Sequence, residues 1–411
     1  MWCPPYLRWA PFSCILSLLR DSSMFNLRPH QRRACDAMRK NEKGTVIIPT
    51  GGGKTMCMIQ DTLTTFDDNV NCTVVVVAPR ILLAEQLCSE FLEHISASVL
   101  HVHSGETHHF STTKAKQIKL WDKYVRGKKL IFTTYNSLQK VVDSGIVVNT
   151  AYFDEAHNSV KRNFFAPTEV VSQSDARTFF FTATPKYSAT VFKPGMNMPE
   201  VYGQTICQVP APELVEGGYI LPPKVVVKKM EMADKGINYD RDSDYMLSTI
   251  DDNDVDKILI AARTTKQIIG LVSQTDFCVE LYQRGYSWMM ITSKTGAVID
   301  GNKVDRETFF ETLNEWGKTK GKRFVVIHHS ILSEGINVNG LEAVLFLRNM
   351  DYIGISQTIG RVIRLGDKSK KFGLVVCPVY DNVGISTSRK VQAVVDTVFN
   401  IGEPAISTIK R

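Results

Sequence analysis

The sequence predicts an α/β protein with two mainly parallel sheets, each flanked by helices. A chain of 411 residues is longer than one ordinary hydrophobic core requires, so two or three domains are expected. From Leu27 onward, short apolar strands alternate with helical stretches, which is typical of parallel sheets covered by helices. The strands form two series, separated by a stretch rich in proline and glycine at residues 209–223. The expected architecture is therefore two tandem α/β domains.

Each series contains five candidate strands. The first comprises Thr45–Ile48, Cys72–Ala78, Lys129–Thr133, Val147–Phe153 and Thr178–Phe181. The second comprises Gln267–Val272, Trp288–Ile291, Arg323–Ile327, Ala343–Leu347 and Gly373–Cys377. We predict an extension at 1–23, a first domain at 24–208, a linker at 209–225, a second domain at 226–380 and a tail at 381–411. The acidic stretch Asp234–Asp256 is interpreted as a surface excursion that opens the second domain.

Composition narrows the class of protein. A hydrophobic content of 44% and a charged content of 22% are those of a soluble globular protein. The net charge of +7 permits a polyanionic partner without requiring one. No run of eighteen apolar residues occurs, so no membrane span is expected. The nine cysteines contain no C-x-x-C pair, which favours reduced thiols over zinc. An intracellular protein is expected, with a monomer favoured.

Residues 1–23 differ in composition from the rest of the chain. Their apolar stretch Ile15–Leu19 is short, and Arg20-Asp21 follows it where a signal peptide would have small residues. Two interpretations remain open. The segment is either a disordered extension or the result of a start assigned too early, with Met24 as the alternative start.

A glycine-rich loop follows the first strand. It reads Pro-Thr-Gly-Gly-Gly-Lys-Thr and leads into a segment compatible with a helix. Glycines let several backbone N–H groups point toward one anion, and the helix N-terminus adds positive potential. The lysine and the last threonine can reach terminal phosphates and a Mg²⁺ ion. The alternative is a plain turn before a basic residue. The predicted phosphate-binding residues are Thr50, Gly51, Gly52, Gly53, Lys54 and Thr55.

Two acidic residues follow the fourth strand of the first series. Asp154 and Glu155 come directly after Phe153, at the carboxyl end of a strand, where open α/β sheets bind ligands. Asp154 is expected to hold Mg²⁺, and Glu155 to orient or deprotonate the attacking water. Read alone, the pair is equally compatible with acids at a helix N-terminus. A phosphate loop about a hundred residues earlier favours the catalytic reading.

Two arginines lie near the end of the second series. Arg361 and Arg364 are three residues apart, on one face of a helix, within the stretch 357–364. Two guanidinium groups suit the charge that develops during phosphoryl transfer. An isolated R-x-x-R is more often a surface charge pair, so its weight here depends on the phosphate loop and the acid pair.

Taken in order, these motifs resemble those of superfamily 2 helicases and translocases with two RecA-like domains. The resemblance covers about Leu27 to Val379 and lies nearest to compact phage and viral helicases, close to the XPB-like and type III restriction-subunit branch. It identifies Asp154–His157 as a D-E-A-H box and 357–364 as Q-x-x-G-R-x-x-R. It implies ATP and Mg²⁺ as cofactors, with Gln31 contacting the adenine. The catalytic residues that it implies are Lys54, Glu155, Gln357, Arg361 and Arg364.

The same resemblance implies where nucleic acid is contacted. Ala78-Pro79-Arg80 resembles motif Ia and Thr133–Ser137 resembles motif Ib, which implies backbone contacts from Arg80 and Thr134. Motif IV is placed by its order at Leu271–Thr275. The loop Thr292–Gly296 would be a later phosphate-contacting loop, which adds Thr295 to the contacts. Tyr135 is interpreted as core rather than as a platform for base stacking.

Two further motifs concern coupling and the nucleotide. Thr182-Ala183-Thr184-Pro185 resembles motif III, so Thr182, Thr184 and His157 are expected to couple hydrolysis to strand movement. Ser333–Asn337 resembles motif V, which implies that Gly335 and Asn337 contact the nucleotide. Many relatives have Asp at the position of Asn337.

The resemblance implies an ATP-dependent helicase or translocase, with DNA favoured over RNA as the partner. The alternative is a nucleic-acid-stimulated ATPase that remodels protein–nucleic-acid complexes without separating strands. A third hypothesis, an inactive clamp, is disfavoured because the lysine, the acid pair and the arginine are all present. Unwinding, annealing and translocation stay undistinguished, because all three use the same ATP site.

Overall fold

The fold contains two large sheets whose helices lie around them. The structure is a computed structural model that describes residues 26–105, 107–230, 238–262, 264–292, 294–329, 340–347, 352–365, 370–380 and 385–409. Seven strands form one large sheet, eight form the other, and two further strands pair as a small third sheet. The predicted α/β class with two mainly parallel sheets is therefore confirmed.

The first sheet is entirely parallel. Its strands are β1 (Lys43–Ile47), β2 (Cys72–Ala78), β3 (Ser98–Val102), β4 (Lys128–Thr134), β5 (Thr150–Phe153), β6 (Arg177–Thr182) and β8 (Thr205–Gln208), with β7 (Lys186–Ser188) outside it. They lie in the order β3-β4-β2-β5-β6-β1-β8. The helices in this part of the chain are α1 (Pro29–Arg39), α2 (Lys54–Asp68), α3 (Ile81–Leu92), α4 (Ala115–Tyr124), α5 (Leu138–Ser144), α6 (Arg162–Ser172), α7 (Pro199–Tyr202) and α8 (Ala211–Glu216).

The second sheet is parallel except for one edge. Its strands are β9 (Pro223–Met230), β10 (Lys257–Ala261), β11 (Ser287–Thr292), β12 (Gly296–Ile299), β13 (Asn302–Val304), β14 (Phe324–His328), β15 (Ala343–Phe346) and β16 (Gly373–Tyr380). Their order is β13-β12-β11-β14-β10-β15-β16-β9, and the pairs β11–β12 and β12–β13 are antiparallel. The helices here are α9 (Tyr239–Asn253), α10 (Thr265–Ser273), α11 (Phe277–Gln283), α12 (Arg306–Lys318), α13 (Tyr352–Val362) and α14 (Ile385–Val395).

The central strands of both sheets are buried on both faces. All seven residues of β2 are buried, which explains why its sequence is a continuous apolar run rather than an alternating one. In β6, Phe179 and Phe181 pack into the core on one side, and Phe180 packs into the core on the other. Because neighbouring strands are parallel, their carboxyl ends lie at the same edge of each sheet, where the following loops can carry functional residues.

One predicted strand is wrong. The stretch Gln267–Val272 lies in helix α10, whose N-cap Thr264 accepts a hydrogen bond from the backbone N–H of Gln267. Ile268 and Leu271 are buried, three residues apart, as one face of a helix requires. The strand at the start of this sheet is instead β10. The motif IV position predicted by order, Leu271–Thr275, accordingly lies at the end of a helix.

The acidic stretch also contains more structure than a surface excursion would. Its described part forms α9, with Asn238 as the N-cap and a face that packs into the core through Tyr245, Met246 and Ile250. Its acidic residues occupy the remaining faces apart from Asp242, which is buried and accepts a hydrogen bond from Gln267. Sequence alone gave too much weight to the charges and too little to the apolar residues spaced between them.

The end of the chain returns to the first sheet's half of the molecule. After α14, a π-helical turn at Asp396–Ile401 packs against α8. The strand β17 (Ser407–Ile409) then pairs in parallel with β7, directly after the predicted motif III. The predicted linker contains α8 and the first residues of β9, and the predicted domain boundaries stay predictions. No helix in the described part of the chain is long and apolar enough to span a membrane.

Candidate active site between the two sheets

The glycine-rich loop connects β1 to α2. Gly51 and Gly53 adopt left-handed conformations with φ of 86° and 80°, which L side chains rarely adopt. The backbone N–H of Gly52 donates to the carbonyl of Pro49 at 3.0 Å, which closes a tight turn. Helix α2 then begins at Lys54. The loop thus has the backbone geometry and the following helix N-terminus that a phosphate group requires.

Side chains of helix α1 contact backbone carbonyls of this loop. The Gln31 side chain donates through Nε2 to the carbonyl of Gly53 at 3.2 Å, and its Oε1 accepts from the Arg28 backbone at 2.9 Å. His30 Nε2 lies 2.7 Å from the carbonyl of Gly52. A Cβ on Gly53 would lie 2.4 Å from Gln31 Nε2, so this side chain fills the space beside the glycine. In this structure Gln31 contacts the glycine-rich loop, and its contact with adenine stays a prediction.

The acid pair faces the lysine of the loop. Lys54 Nζ lies 3.5 Å from Glu155 Oε1, and the two side chains are only 11% and 8% exposed. Glu155 has a left-handed backbone with φ of 46°, a conformation that is rare for residues with a side chain and is found preferentially at functional sites. Asp154 Oδ1 is buried and has no hydrogen-bond partner among the described residues. An orphaned carboxylate oxygen of this kind is expected where a ligand is missing.

The two acids differ in their affinity for protons. Burial, together with the neighbouring charge of Glu155, raises the pKa of Asp154 to about 7. Burial would also raise the pKa of Glu155, but the interactions of this carboxylate with Lys54, His157 and Arg361 outweigh burial and hold its pKa below the ordinary value. Glu155 is therefore ionised at neutral pH and able to accept a proton. A Mg²⁺ ion would favour the ionised form of Asp154, and the unsatisfied oxygen and the nearby Thr55 hydroxyl fit such an ion.

Helix α13 brings the arginines to the same place. Gly360 packs directly against the loop, since a Cβ at this position would lie 2.6 Å from Thr50 Cβ. Arg361 is 3% exposed, and burial together with the charge of Arg364 lowers its pKa to about 9, opposed by Glu155. Burial also lowers the pKa of Arg364, again opposed by Glu155 and also by Glu90. Two buried guanidinium groups therefore face the acid pair across the gap between the sheets.

These residues line one cavity of about 360 Å³ between the two halves of the molecule. The loop, the acid pair and the arginines meet there, although the loop and the arginines are about three hundred residues apart in the chain. Of the residues that the sequence predicted, the cavity is lined by Thr50, Gly51, Gly53, Lys54, Thr55, Asp154, Glu155, Gln357, Arg361 and Arg364.

A single histidine of the D-E-A-H box contacts two other predicted motifs. His157 Nδ1 lies 3.1 Å from the hydroxyl of Thr182 and 3.4 Å from that of Thr184. On its other side, Nε2 lies 3.3 Å from Nε2 of Gln357 in α13. The ring also approaches Glu155, with Nδ1 3.6 Å from Oε2. The structure therefore brings the predicted coupling residues together around one imidazole that spans both halves.

The residues predicted to contact nucleic acid lie at three separate places in the fold. Arg80 precedes α3 at the end of β2, and Thr295 lies in the turn between β11 and β12, with its hydroxyl 2.8 Å from that of Thr292. Thr134 ends β4 and is only 4% exposed. Tyr135 is buried, and its hydroxyl donates to the carbonyl of Asp154 at 2.9 Å, so its assignment to the core is confirmed. Gly335 and Asn337 lie outside the described residues.

Sequence reasoning missed part of the cavity wall. Arg28 and Tyr219 line it, and the Arg28 guanidinium lies 4.6 Å above the centre of the Tyr219 ring. Helix α3 adds Leu83, Leu87 and Glu90. Tyr219 follows two glycines in the predicted linker, which was only a weak indication that it lines a site. The contribution of α3 had no signal, because its apolar spacing indicates a helix with one buried face but not the cavity that the helix lines.

This arrangement defines a class of protein. One α/β half supplies a phosphate loop and an acid pair, and the other supplies two arginines, as in phosphate-loop nucleoside triphosphatases with two RecA-like domains. Residues 24–187 match the family described as type III restriction enzyme, res subunit. This part of the chain is similar to that family, and the whole chain has the two-domain RecA-like fold of the solved structures that it resembles. The predicted resemblance is confirmed at this level.

Comparison with solved structures supports the same fold. The ATP-dependent type ISP restriction-modification enzyme LlaBIII bound to DNA matches with a TM-score of 0.71 and 18% identity, over 94% of this chain and 31% of that one. A putative HsdR subunit fragment of a type I restriction enzyme from Vibrio vulnificus matches with a TM-score of 0.61 and 14% identity, over 94% and 69%. S. cerevisiae Dbp5 bound to RNA and ADP BeF3 matches with a TM-score of 0.59 and 15% identity, over 97% and 93%.

The chain thus spans about a third of the length of the type ISP enzyme that it resembles. A comparison with curated protein sequences found no significant match.

Proposed function

We propose that the protein is an ATP-dependent helicase or translocase that couples hydrolysis of Mg²⁺-bound ATP to movement along, or unwinding of, DNA. The observation that carries this proposal is the set of contacts across the gap between the two sheets. Lys54 and Glu155 on one side face Arg361 on the other, and His157 touches Gln357. An ATPase confined to one domain would have no need of these contacts.

The triphosphate is expected to lie along the glycine-rich loop. Its terminal phosphate would then lie between Lys54 and the two arginines, and Glu155 would accept the proton of the attacking water. Thr55 and Asp154 are the residues that would hold Mg²⁺. When bound, this ion neutralises charge on the phosphate oxygens.

The electrostatics of the site supply a reason for domain closure. Burial and the charge of Arg364 lower the pKa of Arg361 to about 9 against the opposing charge of Glu155, so a bound anion would stabilise the guanidinium further. A bound triphosphate compensates both guanidinium groups, and loss of the terminal phosphate removes most of that compensation. Nucleotide state is therefore expected to change how firmly α13 is held against the loop.

Coupling to a bound strand is assigned to the histidine contacts. His157 touches the D-E-A-H box, the Thr182–Thr184 segment and helix α13, so a shift of α13 changes its environment directly. Arg80 and Thr295 lie at the strand ends of different sheets, where a strand crossing both domains would feel their relative movement. Backbone contacts of this kind hold nucleic acid without reading its sequence.

DNA is favoured over RNA because the family match and the structural match with the higher TM-score are both to restriction enzymes, and the latter structure contains DNA. The match to a protein bound to RNA makes RNA the necessary comparison in any assay.

The test is an ATPase assay run beside a strand-displacement assay. Both use no nucleic acid, single-stranded DNA, duplex DNA, branched DNA and single-stranded RNA, each at saturating concentration. We expect the ATPase rate to rise with DNA and a labelled strand to be displaced or a bound roadblock to be cleared. Lys54→Ala should abolish both activities, and Lys140→Ala, at an exposed lysine, should change neither.

Stimulated hydrolysis with clearance of bound protein but no strand displacement would favour the remodelling ATPase. An absence of hydrolysis under every condition, in protein that is folded by circular dichroism, would contradict the proposal.

A further inference from the structure

The end of helix α13 has an unusual set of partners. The last carbonyls of a helix lack intrahelical donors and must find others. Here the carbonyl of Ile363 accepts from the backbone N–H of Leu221 at 2.7 Å. The carbonyls of Val362 and Arg364 both accept from the side chain of Lys370, at 2.5 and 3.4 Å. One lysine thus closes the turn that carries the second arginine.

The same ammonium group reaches a third carbonyl. Lys370 also donates to the backbone oxygen of Leu341, just before β15. An ammonium group has three N–H donors, and here each has a backbone carbonyl to meet. The side chain therefore ties the end of the arginine helix to the sheet that carries it. Its positive charge also lies at the negative end of the helix dipole, where a cation is favourable.

We propose that Lys370 is a positioning residue for the arginines: its ammonium group fixes the last turn of α13 so that Arg361 and Arg364 face the acid pair. This inference rests on the proposed ATPase function. Without the three hydrogen bonds, two carbonyls of the final turn lose their donor, and the turn loosens. Arg364 lies beyond the last helical residue and would move first, while the phosphate loop, which Lys370 does not touch, would stay intact.

The charge on Lys370 is sensitive to pH near neutrality. Burial lowers the pKa of Lys370 to about 8, opposed by the negative charge of Glu342 and reinforced by the positive charge of Lys257. Arg361 on the helix and Arg364 just beyond its last residue are the other charged groups described at this end. As pH rises through about 8, the ammonium group loses a proton and so has one donor fewer and no charge. The positioning effect is thus expected to weaken on the alkaline side.

Three variants test the inference. Lys370→Met removes the donors, Lys370→Arg keeps a cation that does not titrate in this range, and Lys371→Met is a control at the exposed neighbouring lysine. ATPase rates are measured with saturating DNA between pH 6.5 and 9, with thermal melting as the measure of folding. We expect Lys370→Met to lower kcat at least tenfold, with KM for ATP within threefold of wild type, because a misplaced group costs rate rather than loop binding.

The pH profile separates positioning from simple structural support. Wild type should lose activity as pH rises through about 8, and Lys370→Arg should recover most of kcat at pH 7 and lack the part of that loss that occurs below the pKa of about 9 of Arg361. Lys371→Met should follow wild type throughout. If Lys370→Met folds and keeps the kcat of wild type, the inference is wrong. If it does not fold, the arginine variant decides, because an alkaline loss unchanged from wild type in that variant would also overturn the inference.

The results that would contradict the proposed function differ from those that would contradict the positioning role of Lys370. Wild-type protein without ATPase activity on any nucleic acid would contradict the function itself. An active wild type whose Lys370 variants are indistinguishable from it would overturn only the positioning role.

Discussion

Substitution of Gly360 by alanine separates the stability of the arginine helix from its function. Gly360 lies inside α13 and does not have a positive φ, so alanine fits its backbone. Alanine is more favourable than glycine in a helix interior by about 1 kcal/mol. On local grounds alone, Gly360→Ala should therefore leave the protein as stable as wild type or slightly more stable.

The contact across the gap predicts the opposite effect on activity. The added Cβ would lie 2.6, 2.8 and 3.0 Å from three side-chain atoms of Thr50, whereas ordinary contact begins at 3.4 Å. Thr50 belongs to the phosphate loop and its Cβ cannot rotate away, so α13 must move back by about 1 Å, a misplacement that can cost a hundredfold in rate. We expect kcat to fall roughly ten- to a hundredfold.

The assay is steady-state ATP hydrolysis with saturating DNA, with binding of a fluorescent ATP analogue measured in parallel. Binding should change little, because the loop itself is intact. The double variant Thr50→Gly with Gly360→Ala removes all three clashing atoms and should recover activity relative to Gly360→Ala alone. A Gly360→Ala protein whose kcat stays within threefold of wild type would show that the close packing of α13 on the loop is not the geometry that hydrolyses ATP.

Two further substitutions test other parts of the site. Glu155→Gln should keep its affinity for Mg²⁺-bound ATP and lower kcat by about 10² or more, since the amide keeps the shape but cannot accept the proton of the water. If the variant instead loses ATP binding but keeps normal turnover per bound nucleotide, Glu155 holds the metal rather than accepting the proton. His157→Ala should lower DNA-stimulated hydrolysis about tenfold, while KM for ATP stays within threefold of wild type. The reason is that the ring contacts the acid pair, Thr182 and Gln357 but does not line the cavity proposed for the nucleotide. Hydrolysis is measured in titrations with DNA, and equal stimulation of variant and wild type would show that His157 has no part in the coupling.

Local sequence signals predicted the parts of the fold that depend on neighbouring residues. The strand ending at the glycine-rich loop and the buried run of β2 appear in the structure as expected, since both follow from continuous β-branched stretches. The predicted strand at Val147–Phe153 begins only at Thr150, and Val147 is 74% exposed. Apolar content alone does not tell where a chain enters a sheet.

The errors share a physical cause. The stretch at 267–272 is apolar and rich in isoleucine, so its composition resembles a strand, but the cap at Thr264 and the spacing of its buried residues favour a helix. At this stretch the spacing of the buried residues, and not the composition, indicates the structure. The pairing of β17 with β7 and the antiparallel edge at β11–β13 depend on contacts between distant or weakly patterned segments, which short sequence windows do not reveal.

The individual motifs of the candidate site could be predicted from the sequence, but most of the tertiary contacts between them could not. The loop, the acids and the arginines each have a recognisable spacing, whereas the engagement of Gln31 with Gly53 and the position of Tyr219 follow from tertiary packing. Lys370 lies in the run Lys-Ser-Lys-Lys at 368–371, where no sequence pattern distinguishes the half-buried lysine from the exposed one. Burial and three carbonyl partners make that distinction only in the folded chain.

The central claim is that two domains form one catalytic site, and Arg361 tests it most directly. Arg361→Ala is compared with Arg389→Ala, at an exposed arginine, by single-turnover hydrolysis of bound ATP in the presence of DNA. Guanidinium groups supplied across such a gap contribute about 10³–10⁵ in rate, so Arg361→Ala should lower the hydrolysis rate by that order while ATP affinity falls less than tenfold. Arg389→Ala should behave as wild type. A single-turnover rate for Arg361→Ala within tenfold of wild type would contradict the claim, because the second domain would then contribute no catalytic charge.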